Sequence, residues 1–270
     1  MNEVYKIALC QMIVVSDKEK NQQRAEECIS EAASNGADII CLPEIWNAPY
    51  DVKLLGDYAE PEDGPSISFM SKLAEKHGII LVGGSIPELA IPEKTGDKPR
   101  IYNTSFVFDS KGEVIAKHRK VHLFDVDIKN GIRFKESDFF SAGEDLTVFD
   151  TSFGKMGLAI CFDIRFPDMF QQMAKAGAKL IFLPANFNMT TGPVHWDLLI
   201  KSRALDNQIY MAANASARNV AASYSSWGHS CVVTPWGECS VQADEQDTII
   251  YASVDDEYLA KVRQEIPIGN

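Results

Sequence analysis

Short runs of consecutive apolar residues alternate along this chain with longer stretches whose apolar positions recur every three or four residues. The short runs predict buried strands at residues 5–10, 39–42, 79–82, 156–161, 180–183 and 209–214. The longer stretches predict helices. Residues 18–34 place Ala25, Cys28, Ile29 and Ala32 on one face and stop before Gly36; residues 67–76 stop before Gly78; residues 167–176 open on Pro167; residues 195–207 form a fourth. Residues 101–108 and 114–117 flank Ser110-Lys111-Gly112 as a hairpin, and late strands at 230–234 and 248–253 follow on either side of a turn at Pro235-Trp236-Gly237. Strands alternating with helices predict an α/β fold. Residues 120–144 show no period, and a loop of that length inside a compact fold is usually functional.

The pattern also repeats itself. Residues 35–44, ending Cys41-Leu42-Pro43-Glu44, parallel residues 176–185, ending Phe182-Leu183-Pro184-Ala185. Each follows a helix, and each helix follows a strand with a cysteine near its end, Cys10 in one case and Cys161 in the other. Two pseudo-symmetric β-α-β halves are expected within one domain spanning residues 1–270, although helix-to-strand turns resemble one another in any α/β chain. Ligands in open α/β sheets sit beyond the carboxyl ends of the strands. Glu44 and Cys161 fall at such ends, one in each half.

Charge and cysteine usage narrow the class. With 26 basic and 38 acidic residues, the net charge of −12 disfavours nucleic acid and anionic membrane surfaces as partners. The six cysteines are scattered without a C-x-x-C pair, which argues against a disulfide framework or zinc ribbon and for a reducing, cytoplasmic setting. The opening Met-Asn-Glu-Val-Tyr-Lys has no basic stretch followed by an apolar one, so neither signal peptide nor membrane span is expected. No metal site or glycine-rich phosphate loop stands out. His118 and His122 share i,i+4 spacing, but in a strand-to-loop segment that spacing does not aim them at one ion.

Three positions carry candidate chemistry. Cys161 lies in Ile160-Cys161-Phe162-Asp163-Ile164-Arg165-Phe166-Pro167, where a strand meets a turn and then a helix. Such an elbow exposes a nucleophile and aims a backbone N–H at a developing oxyanion. The alternative is a buried structural thiol. Glu44 sits between Leu42-Pro43 and Ile45-Trp46, where burial would raise its pKa toward that of a useful base; the alternative is a solvated acid just past a strand. Lys120, within Lys117-His118-Arg119-Lys120-Val121-His122, is either part of a solvated basic face or a cation beside the thiol.

Taken together, Leu42-Pro43-Glu44, Arg119-Lys120-Val121-His122-Leu123 and the Cys161 segment resemble the nitrilase superfamily of carbon–nitrogen hydrolases, over residues 4 to 267. The resemblance implies a four-layer αββα sandwich. It also implies a Glu44–Lys120–Cys161 triad with Glu136 holding the lysine, no cofactor, and a homodimer or larger assembly formed partly through residues 167–176. Residues 186–196, 202–208 and 227–230 are most similar to the ω-amidase branch, whose enzymes hydrolyse the terminal amide of 2-oxoglutaramate or 2-oxosuccinamate. The implied chemistry is release of ammonia through a thioester. Other amidases of the superfamily, carbamoyl-amine hydrolases and nitrilases share the triad. One departure is Phe162, where the superfamily often carries tyrosine. The substrate pocket is expected to involve Phe162, Asn186, Phe187 and His195, with Arg165, Arg203 or Lys201 meeting a substrate carboxylate; Arg165 has the alternative of pairing with Asp163.

Overall fold

The computed structural model describes residues 4–51, 53–92, 98–129 and 131–268. The first half supplies strands β1 (Val4–Gln11), β2 (Ile39–Cys41), β3 (Ile80–Val82), β4 (Ile86–Ala90), β5 (Arg100–Phe108) and β6 (Val114–Arg119). A small hairpin, β7 (Asp125–Asp127) and β8 (Arg133–Lys135), follows. The second half supplies β9 (Thr147–Thr151), β10 (Gly154–Leu158), β11 (Leu180–Ala185), β12 (Tyr210–Ala215), β13 (Cys231–Val233), β14 (Cys239–Gln242) and β15 (Thr248–Asp255). The helices are α1 (Lys18–Ser34), α2 (Leu55–Tyr58), α3 (Pro65–His77), α4 (Pro167–Lys175), α5 (Gly192–Asn207) and α6 (Asp256–Glu265).

Two sheets result, ordered β15-β1-β2-β3-β5-β4 with β6 on β5, and β14-β13-β12-β11-β10-β9. Each has three parallel strands at its centre. Ile7 pairs with Ile39 and Ile39 with Ile80 in one; Met156 pairs with Leu180 and Leu180 with Tyr210 in the other. Strands buried on both faces are continuous apolar runs rather than alternations, which is why they were legible. Ile7, Leu9, Ile39 and Val82 meet Met156, Leu158, Leu180 and Phe182 between the sheets. Ala25, Cys28 and Ile29 of α1 with Met70 and Leu73 of α3 cover the outer face of the first sheet. Phe170 and Met173 of α4 with Trp196 and Ile200 of α5 cover the second. The architecture is therefore αββα, in two similar halves.

Several expectations need correction. The strand expected through Cys161 ends at Leu158, and Cys161 opens a 3-10 turn, Cys161–Arg165. By sheet register the counterpart of Cys10 is consequently Ala159, because Ile7 and Met156 hold equivalent places beside Ile39 and Leu180. Residues 120–144 are not one loop, since they contain β7, β8 and a 3-10 turn at Glu136–Asp138. The strand β4 was obscured by Pro87, which is tolerated because β4 ends the sheet order. No described helix is long and apolar enough to cross a membrane.

Candidate active site

The three candidate residues arrive from separate elements at one end of the sandwich. Glu44 follows β2, Lys120 follows β6 and Cys161 follows β10. Glu44 and Lys120 are fully buried, and Cys161 is 5% exposed. Lys120 Nζ lies 2.9 Å from Glu44 Oε1 and 2.9 Å from Glu136 Oε2. Glu136, also buried, is fixed by accepting the Phe124 N–H at 2.6 Å. Glu44 and Lys120 both bear electrostatically on the Cys161 thiol. Glu44 Oε2 has no hydrogen-bond partner among the described residues, so it is the carboxylate oxygen open to take a proton.

Local backbone geometry sets the sulfur in place. Cys161 has φ of 45°, a left-handed conformation unusual for a residue with a side chain. Such strain persists where the surroundings enforce it and is common at reactive sites. Here Asp163 does the enforcing. Its carboxylate accepts the Ile160 N–H at 3.0 Å and the His122 N–H at 2.9 Å, and it meets His122 Nδ1 at 2.8 Å and His118 Nε2 at 3.2 Å. Burial opposes the Asp163 charge, but the hydrogen bonds from His118 and His122 outweigh it and hold the carboxyl far below its usual range. The elbow is thereby tied to the segment just past Lys120. His118 and His122 thus converge on one carboxylate.

Electrostatics favour a resting thiol beside a strong base. Burial pushes the Cys161 pKa well up, Glu44 adds to that, and Lys120 and the Asn186 N–H, 3.5 Å from the sulfur, oppose it. Burial also raises the Glu44 pKa against the pull of Lys120, with Glu136 adding to the rise. For Lys120, burial disfavours the charge, yet Glu136 and Glu44 outweigh it, so the ammonium is held well beyond its usual range. An ammonium that stays charged beside a carboxylate whose proton affinity is raised suits proton transfer from a thiol.

A narrow pocket of about 10 Å³ lies over Cys161, lined among others by Phe124, Phe162, Asn186, Phe187, Asn188 and Tyr224. That is about the room of one water molecule, so a substrate enters by displacing the lining side chains. Arg165 also lines it. The expected Arg165–Asp163 ion pair does not form, because the Asp163 oxygens are taken by His118, His122 and backbone N–H groups. Arg165 instead lies 5.4 Å from both the Phe162 and Phe187 rings and 3.2 Å from His195 Nδ1, and its buried Nε has no partner among the described residues. Arg203 does not line the pocket. Its Nε donates to the Ile164 carbonyl at 2.9 Å, which makes it a brace behind the elbow. His195 stands behind Arg165, and Lys201 lies exposed on α5 outside the pocket.

The carbon–nitrogen hydrolase family model matches residues 6–264. The chain belongs to the carbon–nitrogen hydrolase family. It is 46% identical over 264 residues to the omega-amidase NIT2 of Xenopus tropicalis, covering 98% of this chain and 93% of that protein. It is 47% identical over 266 residues to nitrilase homolog 2 of Dictyostelium discoideum, covering 98% of this chain and 80% of that protein. Among solved structures, Nit3 of Saccharomyces cerevisiae, a member of branch 10 of the nitrilase superfamily, superposes with a TM-score of 0.90 at 41% identity, over 99% of this chain and 96% of that one. The protein is therefore a hydrolase of carbon–nitrogen bonds.

Sequence reasoning missed Tyr50, Asn103, Asn188 and Tyr224. Tyr50 OH lies 3.2 Å from Glu136 Oε1 and 3.5 Å from Glu44 Oε1. Tyr224 OH donates to the Asn186 carbonyl at 2.6 Å. Asn188 falls within the 186–196 segment that resembles the ω-amidase branch, but the other three sit in no motif whose spacing announces chemistry. The only available signal was polarity inside apolar segments, as with Asn103 in Ile101-Tyr102-Asn103-Thr104-Ser105-Phe106.

Proposed function

We propose that this protein is a cysteine amidase that releases ammonia from a small carboxylate-bearing amide, the ω-amide of 2-oxoglutaramate or 2-oxosuccinamate. The observation that carries the reading is the convergence of a buried base, ammonium and thiol: Glu44 lies 2.9 Å from Lys120, and both bear electrostatically on Cys161. In this reading Glu44 takes the Cys161 proton and the thiolate adds to the amide carbonyl. Lys120 and the Phe162 N–H, in the first turn of the 3-10 segment where donors lack intrahelical acceptors, hold the oxyanion. Glu44 returns the proton to the departing nitrogen, leaving a thioester and ammonia. Water then donates a proton to Glu44 and adds to the thioester, and collapse frees the acid and the Cys161 thiol. Glu136 keeps Lys120 in place.

The substrate assignment draws on the polar atoms left open around the pocket. Arg165 Nε and Asn188 Nδ2 are buried donors without partners, and Asn186 Oδ1 is a buried acceptor without one. Asn188 Oδ1 accepts the Thr190 and Thr191 N–H groups at 2.8 and 3.1 Å, which turns Nδ2 away from them as a fixed donor. Two donors, one of them cationic, complement a carboxylate. Phe162 and Phe187 supply the apolar walls, and His195 steadies Arg165. The same reading makes the protein a cytoplasmic homo-oligomer, in keeping with six unpaired thiols and with Val194, Leu198 and Leu205 exposed along α5.

The test is ammonia release from 2-oxoglutaramate beside glutamine and a simple nitrile, with Cys161→Ala as control. Turnover of the 2-oxo amide alone, abolished in the control, supports the reading. Preference for the nitrile, or full activity of Cys161→Ala, refutes it.

A further inference from the structure

Asn103 touches all three polar members of the buried cluster. Its side-chain Nδ2 donates to Glu44 Oε1 at 2.9 Å and to Glu136 Oε1 at 3.2 Å, and its backbone carbonyl accepts the Lys120 N–H at 2.8 Å. The β5–β6 ladder explains the coincidence. Thr104 pairs with Arg119, so Asn103 and Lys120 stand opposite each other one step further along. Directly opposed residues project to the same face of a sheet. The amide and the ammonium therefore reach the same two carboxylates.

The charge count gives that amide its importance. Two fully buried glutamates share one ammonium, which leaves a net negative cluster out of water. Bringing two carboxylates together ordinarily forces one of them to take up a proton. Beyond Lys120, two neutral donors face both Oε1 atoms, the Tyr50 hydroxyl and the Asn103 amide. The hydroxyl has one hydrogen to give, whereas the amide has two and meets both glutamates.

We infer that Asn103 is a positioning residue for the amidase reaction: its NH2 group bridges Glu44 and Glu136 around Lys120 and favours the carboxylate form of Glu44, leaving Glu44 Oε2 free to accept the Cys161 proton. This rests on the amidase reading above. Asn103 does not line the pocket over Cys161, so it acts through Glu44 rather than on the substrate. The groups that bear on Glu44 are Glu136 from the turn after β8, Lys120 from the end of β6, Cys161 from the elbow, Tyr50 from the loop after β2, and Tyr224 across the pocket. Without the bridging amide Glu44 keeps its proton up to a higher pH. Glu44 serves as a base only above its own pKa, so activity is then lost at a higher pH as the solution is acidified.

The test compares Asn103→Leu, which keeps the volume and removes both hydrogens, with the unaltered protein. Two pH profiles are read. One is kcat/KM for 2-oxoglutaramate; the other is the alkylation rate of Cys161 by iodoacetamide, followed by mass spectrometry. The expected result is an acid limb moved up by about one pH unit in both profiles, the worth of one charge-assisted hydrogen bond, with KM within about twofold of the original. Asn103→Asp, which adds a third carboxylate, moves the limb further. If Asn103→Leu does not fold, Asn103→Ser, which keeps a single shorter donor, is read in the same way with a smaller displacement. A folded variant whose profiles keep their midpoints, or that loses rate equally at every pH, overturns the inference. The alkylation arm needs no substrate. A moved limb in a protein that hydrolyses no amide would leave Asn103 in its role and sink the amidase reading; normal amide turnover with unmoved limbs would do the reverse.

Discussion

Replacing Arg165 with methionine isolates the proposed carboxylate contact. Methionine keeps an apolar stem between Phe162 and Phe187, so the packing over which the guanidinium lies is preserved. Two unit charges about 4 Å apart attract by about 4 kcal/mol at an effective dielectric near 20. Arg165 is half-buried rather than sealed, so screening reduces this to about 2–3 kcal/mol. That corresponds to about a 30- to 150-fold loss in kcat/KM. The loss should fall on 2-oxoglutaramate and spare an uncharged amide of similar length, because among the described residues no carboxylate pairs with Arg165 and removing the cation leaves none of them unpaired. The assay is ammonia release from both amides by the unaltered and Arg165→Met proteins, reported as the ratio of the two kcat/KM values. A fall in that ratio of at least tenfold bears out the contact. Equal losses on both amides, or no loss on either, would refute it and move the carboxylate elsewhere.

Other expectations follow from the buried charges. Lys120→Ala removes an oxyanion donor, worth about 3–4 kcal/mol of transition-state stabilisation, so kcat should drop at least a hundredfold in steady-state assays. It also strands two buried carboxylates, so thermal unfolding should occur at a lower temperature and the deficit should grow as pH rises through the carboxylate range. Asp163 is held far below its usual pKa, so its contribution to stability is present above about pH 4 and is lost as pH falls toward its depressed folded value. Asp163→Asn should cost about 3–5 kcal/mol at neutral pH, and denaturant titrations should show a shallower decline of its stability below pH 4.

What could be read from the sequence was the part written in apolar runs and in contiguous motifs. The six central strands are continuous runs because both of their faces are covered, and α1 was legible to the residue because Asp17 caps it and its buried stripe is regular. Strands β9 and β14 were missed because one face is open and the apolar signal halves, as in the alternating Cys239-Ser240-Val241-Gln242. Helix α6 was missed although Asp255 caps it, accepting the Glu257 and Tyr258 N–H groups, because its acidic first turn reads as a surface loop. The same limit applied at the site. Glu44, Lys120 and Cys161 stand in recognisable segments, whereas Asn103 becomes significant only when β5 and β6 pair and set it opposite Lys120. Arg165 and Arg203 looked alike as cations near the elbow. Only packing distinguished the guanidinium with a free Nε at the pocket from the one bonded to the Ile164 carbonyl.

The covalent step is the claim on which the rest depends. Mixing the protein with 2-oxoglutaramate, quenching in acid and mapping the digest by mass spectrometry should find the acyl group on the peptide containing Cys161 and on no peptide carrying the other five cysteines. Ammonia released without any adduct on Cys161, and equally by Cys161→Ala, would contradict a thiol nucleophile at this site.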